Sequence, residues 1–310
     1  MKYIYIIITG IITSIFIFNF LDPEEKPEIN DIKHEKSFQD KIDSYSIGRV
    51  DSLDFAGEYT PLFADDIWER YDKEIHKNVY WQSNTLFYIK RANKYFPIIE
   101  PILKENNIPE DFKYLAIAES GLENVVSPAG ASGFWQFLSA TAKEYNLEVN
   151  SEIDERYHLK KSTQAACEYI QKAYDEFGSW TTAAASYNCG INGMRSRIKK
   201  QNSKNYYNIY LPQETSRYIF RIIAIKEILE HPVKYGFQYR EKDLYKFPET
   251  KEIKISESNI DLYNYAQDIG LNYKILKHYN PWLRSDKITN KKNNTYILDV
   301  PVRSEKIIFN

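Results

Sequence analysis

The sequence predicts a mainly α-helical protein that ends in a small α+β module. From Ile67 onward, apolar side chains recur every three or four residues, which is typical of helices that pack one face on a core. Beyond Gly236 the pattern changes, because Ile253 and Ile255 alternate as in a strand and Tyr296 begins a similar stretch. The 310 residues are enough for one sizeable core and one small module.

The first segment, residues 1–21, is expected to direct export. Met1-Lys2 is followed by a nearly unbroken apolar run over residues 3–20 and then by acidic residues and prolines. The run is close to the minimum length of a membrane span, so it is either a removed signal peptide or an amino-terminal anchor. It contains no cysteine for lipid attachment. We expect an exported protein on the periplasmic side of the cell envelope, in contact with the membrane through residues 3–20.

The remaining boundaries follow from composition. Residues 22–65 are charged, lack apolar periodicity and contain three prolines, so they are expected to form a tether. Residues 66–237 are expected to form the helical domain, and residues 250–305 the module.

Composition excludes several classes of function. The net charge is −2 and no basic stripe is present, which argues against nucleic-acid binding. Two cysteines and five scattered histidines show no metal-ligand spacing, so no metal is expected. No histidine motif accompanies a cysteine, which disfavours a cysteine protease.

One carboxylate stands on the apolar face of a predicted helix. Pro109 marks the helix start, Phe112, Leu115 and Glu119 fall on one stripe, and Gly121 is expected to end the helix. Burying an unpaired carboxylate is costly. Either Glu119 is exposed or paired at the frayed helix end, or an apolar pocket holds it as a proton-bearing acid.

A loop rich in small residues follows this helix. It covers residues 127–133 and leads into Phe134-Trp135-Gln136-Phe137. Glycines let a backbone approach a ligand, aromatic rings offer faces to sugars, and an amide both donates and accepts hydrogen bonds. Two more segments, Ala185-Ser186-Tyr187-Asn188 and Glu214-Thr215-Ser216-Arg217-Tyr218, complete an ordered set.

This set, within about residues 67–237, resembles the catalytic domain of the lytic transglycosylases. These are goose-lysozyme-like enzymes that cleave peptidoglycan glycan strands, and the membrane-bound D group is the most similar. The resemblance implies a lysozyme-like helical domain, peptidoglycan glycan strands as the partner, and no metal or organic cofactor. It implies that Glu119 is the catalytic acid and base. The implied substrate-binding and supporting residues are Ser120, Gly133, Gln136, Tyr187 and Asn188. Tyr218 either reaches the glutamate or the substrate, or is a core tyrosine.

The reaction can be argued from the carboxylates. Hydrolysis of a glycosidic bond uses two carboxylates on opposite sides of the bond. Only Glu119 has a defined place here, because Glu123 follows the helix stop and Asp154-Glu155 is predicted to be a structural turn. The resemblance implies that Glu119 protonates the oxygen between N-acetylmuramic acid and N-acetylglucosamine, after which a 1,6-anhydro ring closes. A hydrolytic muramidase and an inactive wall-binding scaffold remain as alternatives.

Two cysteines flank a predicted helical hairpin. Cys167 and Cys189 each lie eleven residues from Gly178, where the chain is expected to turn. They form either a disulfide or two small buried thiols. Ser139 is expected to cap one short helix, and Ser162 or Thr163 the longer one that leads to the turn.

The carboxy-terminal module has the order β-α-α-β and resembles a divergent LysM-like module. Ile260 to Ile269 and Tyr273 to Tyr279 supply its two helices, and Asn280-Pro281 follows the second one. The glycine-aspartate-threonine start typical of LysM repeats is missing. The module therefore either binds glycan or packs on the helical domain.

Overall fold

The structure is a computed structural model, and it describes residues 45–302. The export segment at 1–21, the first part of the expected tether and residues 303–305 of the module lie outside the described residues. Among residues 45–302, none of the helices has both the length and the apolar character that a bilayer span needs.

The described residues form a helical domain and a small module that contains strands. The helices are α1 (Asp65–Tyr80), α2 (Gln82–Glu105), α3 (Phe112–Ser120), α4 (Ser139–Glu144), α5 (Leu159–Phe177), α6 (Trp180–Cys189), α7 (Ile191–Gln201), α8 (Gln213–Glu230), α9 (Leu262–Asp268) and α10 (Tyr273–Tyr279). The strands are β1 (Asp54–Phe55), β2 (Glu58–Tyr59), β3 (Thr250–Ile255), β4 (Ile260–Asp261), β5 (Lys287–Ile288) and β6 (Tyr296–Pro301).

Helix α3 lies at the centre of the helical domain. It packs against α2 and α8, and α8 also packs on α1 and α6. All side chains from Phe112 to Ile117 are buried, which explains why this short helix is stable without a side-chain cap. It ends at Gly121, whose φ of 63° is left-handed and whose N–H donates to the Ile117 carbonyl at 2.7 Å. The predicted helix stop is therefore confirmed.

Helices α5 and α6 form the predicted hairpin. Gly178 ends α5 with a φ of 68°, and the Ser179 hydroxyl then accepts from the Thr182 N–H to start α6. The predicted caps upstream are wrong. Helix α5 begins at Leu159, so Ser162 and Thr163 lie inside it and donate to the Leu159 carbonyl. Ser139 is likewise the first residue of α4 and not its cap.

The disulfide considered between Cys167 and Cys189 is absent, because both thiols are free. The Cys167 sulfur lies 4.0 Å from the Ile102 carbonyl, on the side of α5 that packs on α2. The Cys189 sulfur lies at the end of α6, 3.8 Å from the Gly190 carbonyl. Equal distance from the turn puts the two residues at one level of the hairpin, but they face different neighbours.

The expected tether is wrong for residues 46–64, which belong to the helical domain. Strands β1 and β2 form an antiparallel hairpin, and Leu53, Phe55 and Leu62 enter the domain core. The Glu58 carboxylate accepts from the Ser179 hydroxyl and from the N–H groups of Trp180 and Thr181, at 2.7–2.9 Å. This contact satisfies the free amide groups at the start of α6.

The module has the predicted β-α-α-β order. Strands β3 and β6 pair antiparallel with Ile253 opposite Leu298, and α9 and α10 cover one face. A second short pair, β4 with β5, was not predicted. The module core also takes in Ile153 and Tyr157 of the helical domain, so the two parts share buried side chains. The predicted fold class, mainly α with a small α+β module, is confirmed.

Candidate active site

Glu119 lies in the last turn of α3, and its carboxylate is half-buried beneath α8. The Tyr218 hydroxyl donates to Glu119 Oε1. Tyr218 itself is 1% exposed, so this hydroxyl is fixed in the core with its oxygen on the glutamate. Glu119 is therefore neither frayed nor paired with a lysine.

Burial is the main influence on the charge of Glu119. It raises the pKa of the carboxyl to about 7, while the Tyr218 hydrogen bond and the charge of Arg221 act in the opposite direction. The charge of Glu214 adds a smaller increase. At neutral pH a large share of the molecules therefore carry a proton on Glu119, as a general acid requires.

Arg221 and Glu214 form an ion pair beside this site. Arg221 Nη2 lies 2.9 Å from Glu214 Oε1, and the Glu214 side chain is 55% exposed. The pairing keeps the guanidinium on Glu214, so its charge only partly offsets the burial of Glu119. Sequence reasoning missed Arg221, although it lies seven residues after Glu214 on the same helix.

Ser120 connects α3 to the following loop. Its hydroxyl donates to the Ala116 carbonyl at 3.1 Å within the helix and to the Phe134 carbonyl at 2.8 Å in the loop. The hydroxyl therefore ties the loop to the last turn of α3, at the residue after Glu119.

Gly133 is required by close packing. Its φ is 80°, and a Cβ at this position would lie 2.0 Å from the Arg156 carbonyl oxygen. Any other residue would push the loop away from residues 156–157. The structure thus places Gly133 in the base of the loop, in contact with another part of the backbone.

Gln136 also stabilises the loop internally. It has a left-handed φ of 48°, and its Nε2 donates to the Gly133 carbonyl at 2.8 Å and to the Val125 carbonyl at 3.1 Å. These bonds compensate for a backbone conformation that is uncommon for a residue with a side chain.

Tyr187 and Asn188 lie at the end of α6, next to the same loop. The Tyr187 hydroxyl donates to the Trp135 carbonyl at 2.8 Å, and burial together with the charge of Glu119 raises the Tyr187 pKa far above its usual range. Asn188 Oδ1 accepts from the Thr215 hydroxyl at 2.9 Å, which links α6 to α8. Tyr187 and Tyr218 are thus neutral hydroxyl groups near Glu119.

Arg156 follows the predicted turn at Asp154-Glu155, and the sequence analysis does not predict its contribution to the loop. Its guanidinium makes two bonds to the Asp154 carboxylate, at 2.9 and 2.7 Å. It also donates to the Gly130 and Phe137 carbonyls, at 2.9 and 3.1 Å, so it spans the loop from one side to the other. The nearby opposite charges of Asp154 and Arg156 in the sequence were the signal that could have indicated this ion pair.

Within residues 45–302, acidic, histidine and cysteine side chains form no cluster of three that could hold a metal ion. The described site contains the partly protonated carboxyl group of Glu119, with neutral hydroxyl and amide groups nearby.

Comparison with known proteins gives two matches to protein families. Residues 96–210 match the transglycosylase SLT domain, and residues 251–304 match the soluble lytic transglycosylase C-terminal LysM-like domain. The first match contains every predicted site residue except Tyr218. The resemblance predicted from the sequence is confirmed for both parts of the chain.

The chain is also similar to individual proteins. The chain is 27% identical over 235 residues to membrane-bound lytic murein transglycosylase D of Escherichia coli K12, covering 72% of this chain and 49% of the relative. It is 30% identical over 124 residues to a putative tributyltin chloride resistance protein of an Alteromonas species, covering 39% of this chain and 58% of that protein. The chain thus spans about half the length of the curated relatives that it matches.

Proposed function

We propose that this protein is a peptidoglycan lytic transglycosylase that cleaves the β-1,4 bond between N-acetylmuramic acid and N-acetylglucosamine. The observation that carries the proposal is Glu119, a half-buried carboxyl with a pKa of about 7, within the residues that match the transglycosylase SLT domain. The name of the Escherichia coli K12 relative, whose match covers 72% of this chain, includes murein.

In the first step, Glu119 acts as the general acid. Its proton passes to the glycosidic oxygen as the bond from that oxygen to C1 of the muramoyl residue breaks. The pKa of about 7 means that the proton is available at neutral pH and is not bound too tightly to transfer. The N-acetylglucosamine end leaves as an alcohol.

In the second step, the Glu119 carboxylate acts as the base. It removes the proton from the 6-hydroxyl of the same muramoyl residue while that oxygen bonds to C1 and closes the 1,6-anhydro ring. The substrate supplies the nucleophile, so the reaction uses one carboxyl group and returns it to its protonated form. No metal or organic cofactor takes part in either step.

Three polar side chains are proposed to support these steps. Tyr218 donates to Glu119 and therefore stabilises its ionised form between the two steps. Asn188 and Gln136 have amide groups beside the loop, and we propose that they contact the N-acetyl groups of the glycan. Ser120, Gly133 and Tyr187 hold the loop in place.

A hydrolytic muramidase is the alternative from the same substrate class, and Glu214 is its candidate second carboxylate. Glu214 is exposed and its charge acts on Glu119. Its pairing with Arg221 argues for a structural use of the charge, because a carboxylate that activates water must be free to accept a proton.

The location is proposed from the same comparisons. We propose that the protein acts in the cell envelope on the periplasmic side, with residues 3–20 as signal or membrane anchor. Peptidoglycan strands would be its partner. Glycan binding and packing are the two uses proposed for the LysM-like module. The core that it shares with the helical domain supports packing.

The test is mass spectrometry of the soluble products after the protein is incubated with purified peptidoglycan. Products one water lighter than the hydrolytic ones are expected. Glu119→Gln keeps the size and polarity of the side chain and should lower the rate by a hundredfold to ten-thousandfold.

Glu214→Gln serves as the matched control and should leave the anhydro products unchanged. Reducing-end products that disappear in Glu214→Gln would instead establish the muramidase. Cleavage that survives Glu119→Gln would overturn the proposed mechanism. Retention on the wall without products would favour the inactive scaffold.

A further inference from the structure

A cavity lies between the helical domain and the module, and Glu119 is not among the residues that line it. Its volume is about 410 Å³, which is in the range of small-molecule sites in proteins. Its walls come from α2, from the loop that contains Phe134, from the start of α5, from the linker before β3, and from α10 with the residues after it. The cavity is thus built by both parts of the chain.

The walls are largely aromatic. Tyr95 packs edge-on against Phe134 with ring centroids 4.8 Å apart and against Phe247 at 6.2 Å. On the other side, the His158 ring stacks on Trp282 with centroids 5.7 Å apart. Burial and the nearby lysines lower the pKa of His158 to about 3, so this ring is neutral at physiological pH. The aromatic groups offer flat faces to an apolar body.

Two lysines supply positive charge without a carboxylate in direct contact, although the charges of Asp286 and Arg284 both act on Lys277. Among residues 45–302, neither Lys94 nor Lys277 forms an ion pair with a carboxylate, and burial lowers the pKa of both ammonium groups. The Lys94 ammonium lies over the rings of Tyr95 and Phe247, at 5.1 and 5.6 Å from their centroids. Lys277 donates to the Ser285 carbonyl at 2.7 Å, and its remaining protons are available.

The other charged groups at the cavity are one lysine and two carboxylates, so they leave one negative charge against the two positive charges of Lys94 and Lys277. Lys160 pairs with Glu252 at 2.8 Å and lies 3.8 Å from Asp299. The cavity therefore has a net positive charge that comes from Lys94 and Lys277. A carboxylate on a ligand would offset this positive charge and accept hydrogen bonds from the two ammonium groups.

We propose that this cavity binds a short peptide with a free carboxylate, with the carboxylate on Lys94 and Lys277 and the peptide body on the aromatic walls. The exposed Asn124 at the rim offers an amide to a peptide bond. The source that we assign is the stem peptide of peptidoglycan, and this assignment rests on the proposed function. The cavity then distinguishes peptide-bearing from peptide-free glycan.

The position of Phe134 gives the cavity a physical connection to the active site. Its ring lines the cavity, and its carbonyl accepts from the hydroxyl of Ser120, the residue after Glu119. A ligand that presses on this ring therefore contacts the same loop that Ser120 ties to α3.

Binding is tested by isothermal titration of the full-length protein with the tetrapeptide L-Ala-D-Glu-L-Lys-D-Ala. One saturable site is expected. Lys94→Met keeps the apolar stem and removes the ammonium, and it should weaken binding about tenfold or more, as should a carboxy-terminal amide on the peptide. Lys104→Met is the matched control, because Lys104 is exposed on the same helix, and it should change nothing.

A second variant guards against a charge effect that acts at long range. Phe247→Ala removes part of the aromatic wall at a residue that is already 37% exposed, so the fold is expected to survive and binding to weaken. Absence of a saturable site, or equal weakening by Lys94→Met and Lys104→Met, would overturn the proposal. Competition by an N-acetylglucosamine tetramer would also do so, because the peptide would then lie in the glycan groove.

Product formation separates this proposal from the proposed function. Lys94→Met should slow the release of anhydro products from intact peptidoglycan severalfold, and it should not affect glycan strands stripped of their peptides by an amidase. Equal rates on both substrates would refute the role of the cavity while leaving the transglycosylase in place. Absence of anhydro products from both substrates would refute the transglycosylase alone, since peptide binding is measured without cleavage.

Discussion

Two glutamates of the helical domain contact adjacent residues of α8, and the two carboxyl groups have opposite electrostatic surroundings. Glu74 on α1 is 2% exposed and receives the Arg217 guanidinium, with Nε at 2.7 Å and Nη2 at 2.6 Å. Within residues 45–302, the Glu119 carboxylate on α3 accepts a side-chain hydrogen bond from the Tyr218 hydroxyl and from no other group. Arg217 and Tyr218 are consecutive, so a turn of about 100° on one helix separates the two environments.

The difference shows how the protein separates a carboxylate that stays ionised from one that binds a proton near neutral pH. A guanidinium supplies a full positive charge and two directed hydrogen bonds, which suits a carboxylate that stays ionised. A phenol supplies one hydrogen bond and no charge, so burial prevails and raises the pKa of Glu119 to about 7. The raised pKa of Glu119 thus depends on a neutral hydrogen-bond donor in the position where Glu74 has a guanidinium.

The largest effect is expected from Arg217→Met, which makes Glu74 resemble Glu119. Removing Arg217 leaves the buried Glu74 carboxylate with Arg221, whose Nε lies 3.9 Å away, and should lower the free energy of unfolding by up to about 3–5 kcal/mol. Urea unfolding at pH 7 measures it. Arg70→Met removes an exposed pair with Asp66 on the same domain and should cost less than about 1 kcal/mol. Equal effects of the two variants would contradict the comparison.

The next effect is a gain of stability in Glu119→Gln that depends on pH. The folded-state pKa of Glu119 is about 7 and the unfolded value about 4.5, so the folded protein binds the proton more tightly between these values. Wild-type stability therefore falls as pH rises from about 4.5 to 7, and the loss is complete above pH 7. The variant avoids this loss, so it should gain about 1–3 kcal/mol relative to wild type on going from pH 4 to pH 8.

Urea unfolding at the two pH values checks this prediction. Glu110→Gln, at an exposed residue before α3, serves as the control and should show a much smaller change between the two pH values. A Glu119→Gln difference that is the same at pH 4 and pH 8 would show that the carboxyl titrates normally.

Tyr218→Phe sharpens the comparison by removing the hydrogen bond that favours the ionised glutamate. The pKa of Glu119 should rise further, because the Tyr218 bond lowers it in the wild-type protein. The upper limb of the pH profile of kcat/KM should move to higher pH by about half a unit to one unit. A limb that stays in place while kcat falls would assign Tyr218 to the substrate instead.

The smallest effect is expected from Glu214→Gln. The charge of Glu214 raises the pKa of Glu119, and the loss of Glu214 also frees Arg221, whose charge lowers it. Both changes lower the pKa of Glu119. The upper limb of the pH profile of kcat/KM should therefore move to lower pH by about a few tenths of a unit. Movement to higher pH would mean that Arg221 turns away from Glu119 when its partner is removed.

Much of the fold follows from local sequence rules. Gly121 and Gly178 end helices in the left-handed conformation as predicted, and the β-α-α-β order of the module is read correctly from alternation and helical spacing. The partial burial of Glu119 follows from its place on an apolar stripe. These features depend on residues that are close in the sequence.

The errors involve contacts between distant residues. Charged residues and prolines predict a tether, but Phe55 reaches the core and Glu58 reaches α6. The start of α5 is predicted at a hydroxyl residue, although packing of Leu159 against the core extends the helix one turn earlier. The disulfide was considered from distances along the hairpin, while the face of each helix decides what a thiol contacts. Sequence spacing does not determine any of these.

The bond between Glu58 and the start of α6 has a consequence for synthesis of the chain on the ribosome. Glu58 is made 123 residues before Thr181, one of the groups that it binds. At the usual rates of translation the first strands wait roughly 6–25 s for this partner. During that interval the Glu58 carboxylate lacks the N–H groups that it binds in the folded domain, so the contact of the first strands with α6 forms only after most of the helical domain has been made.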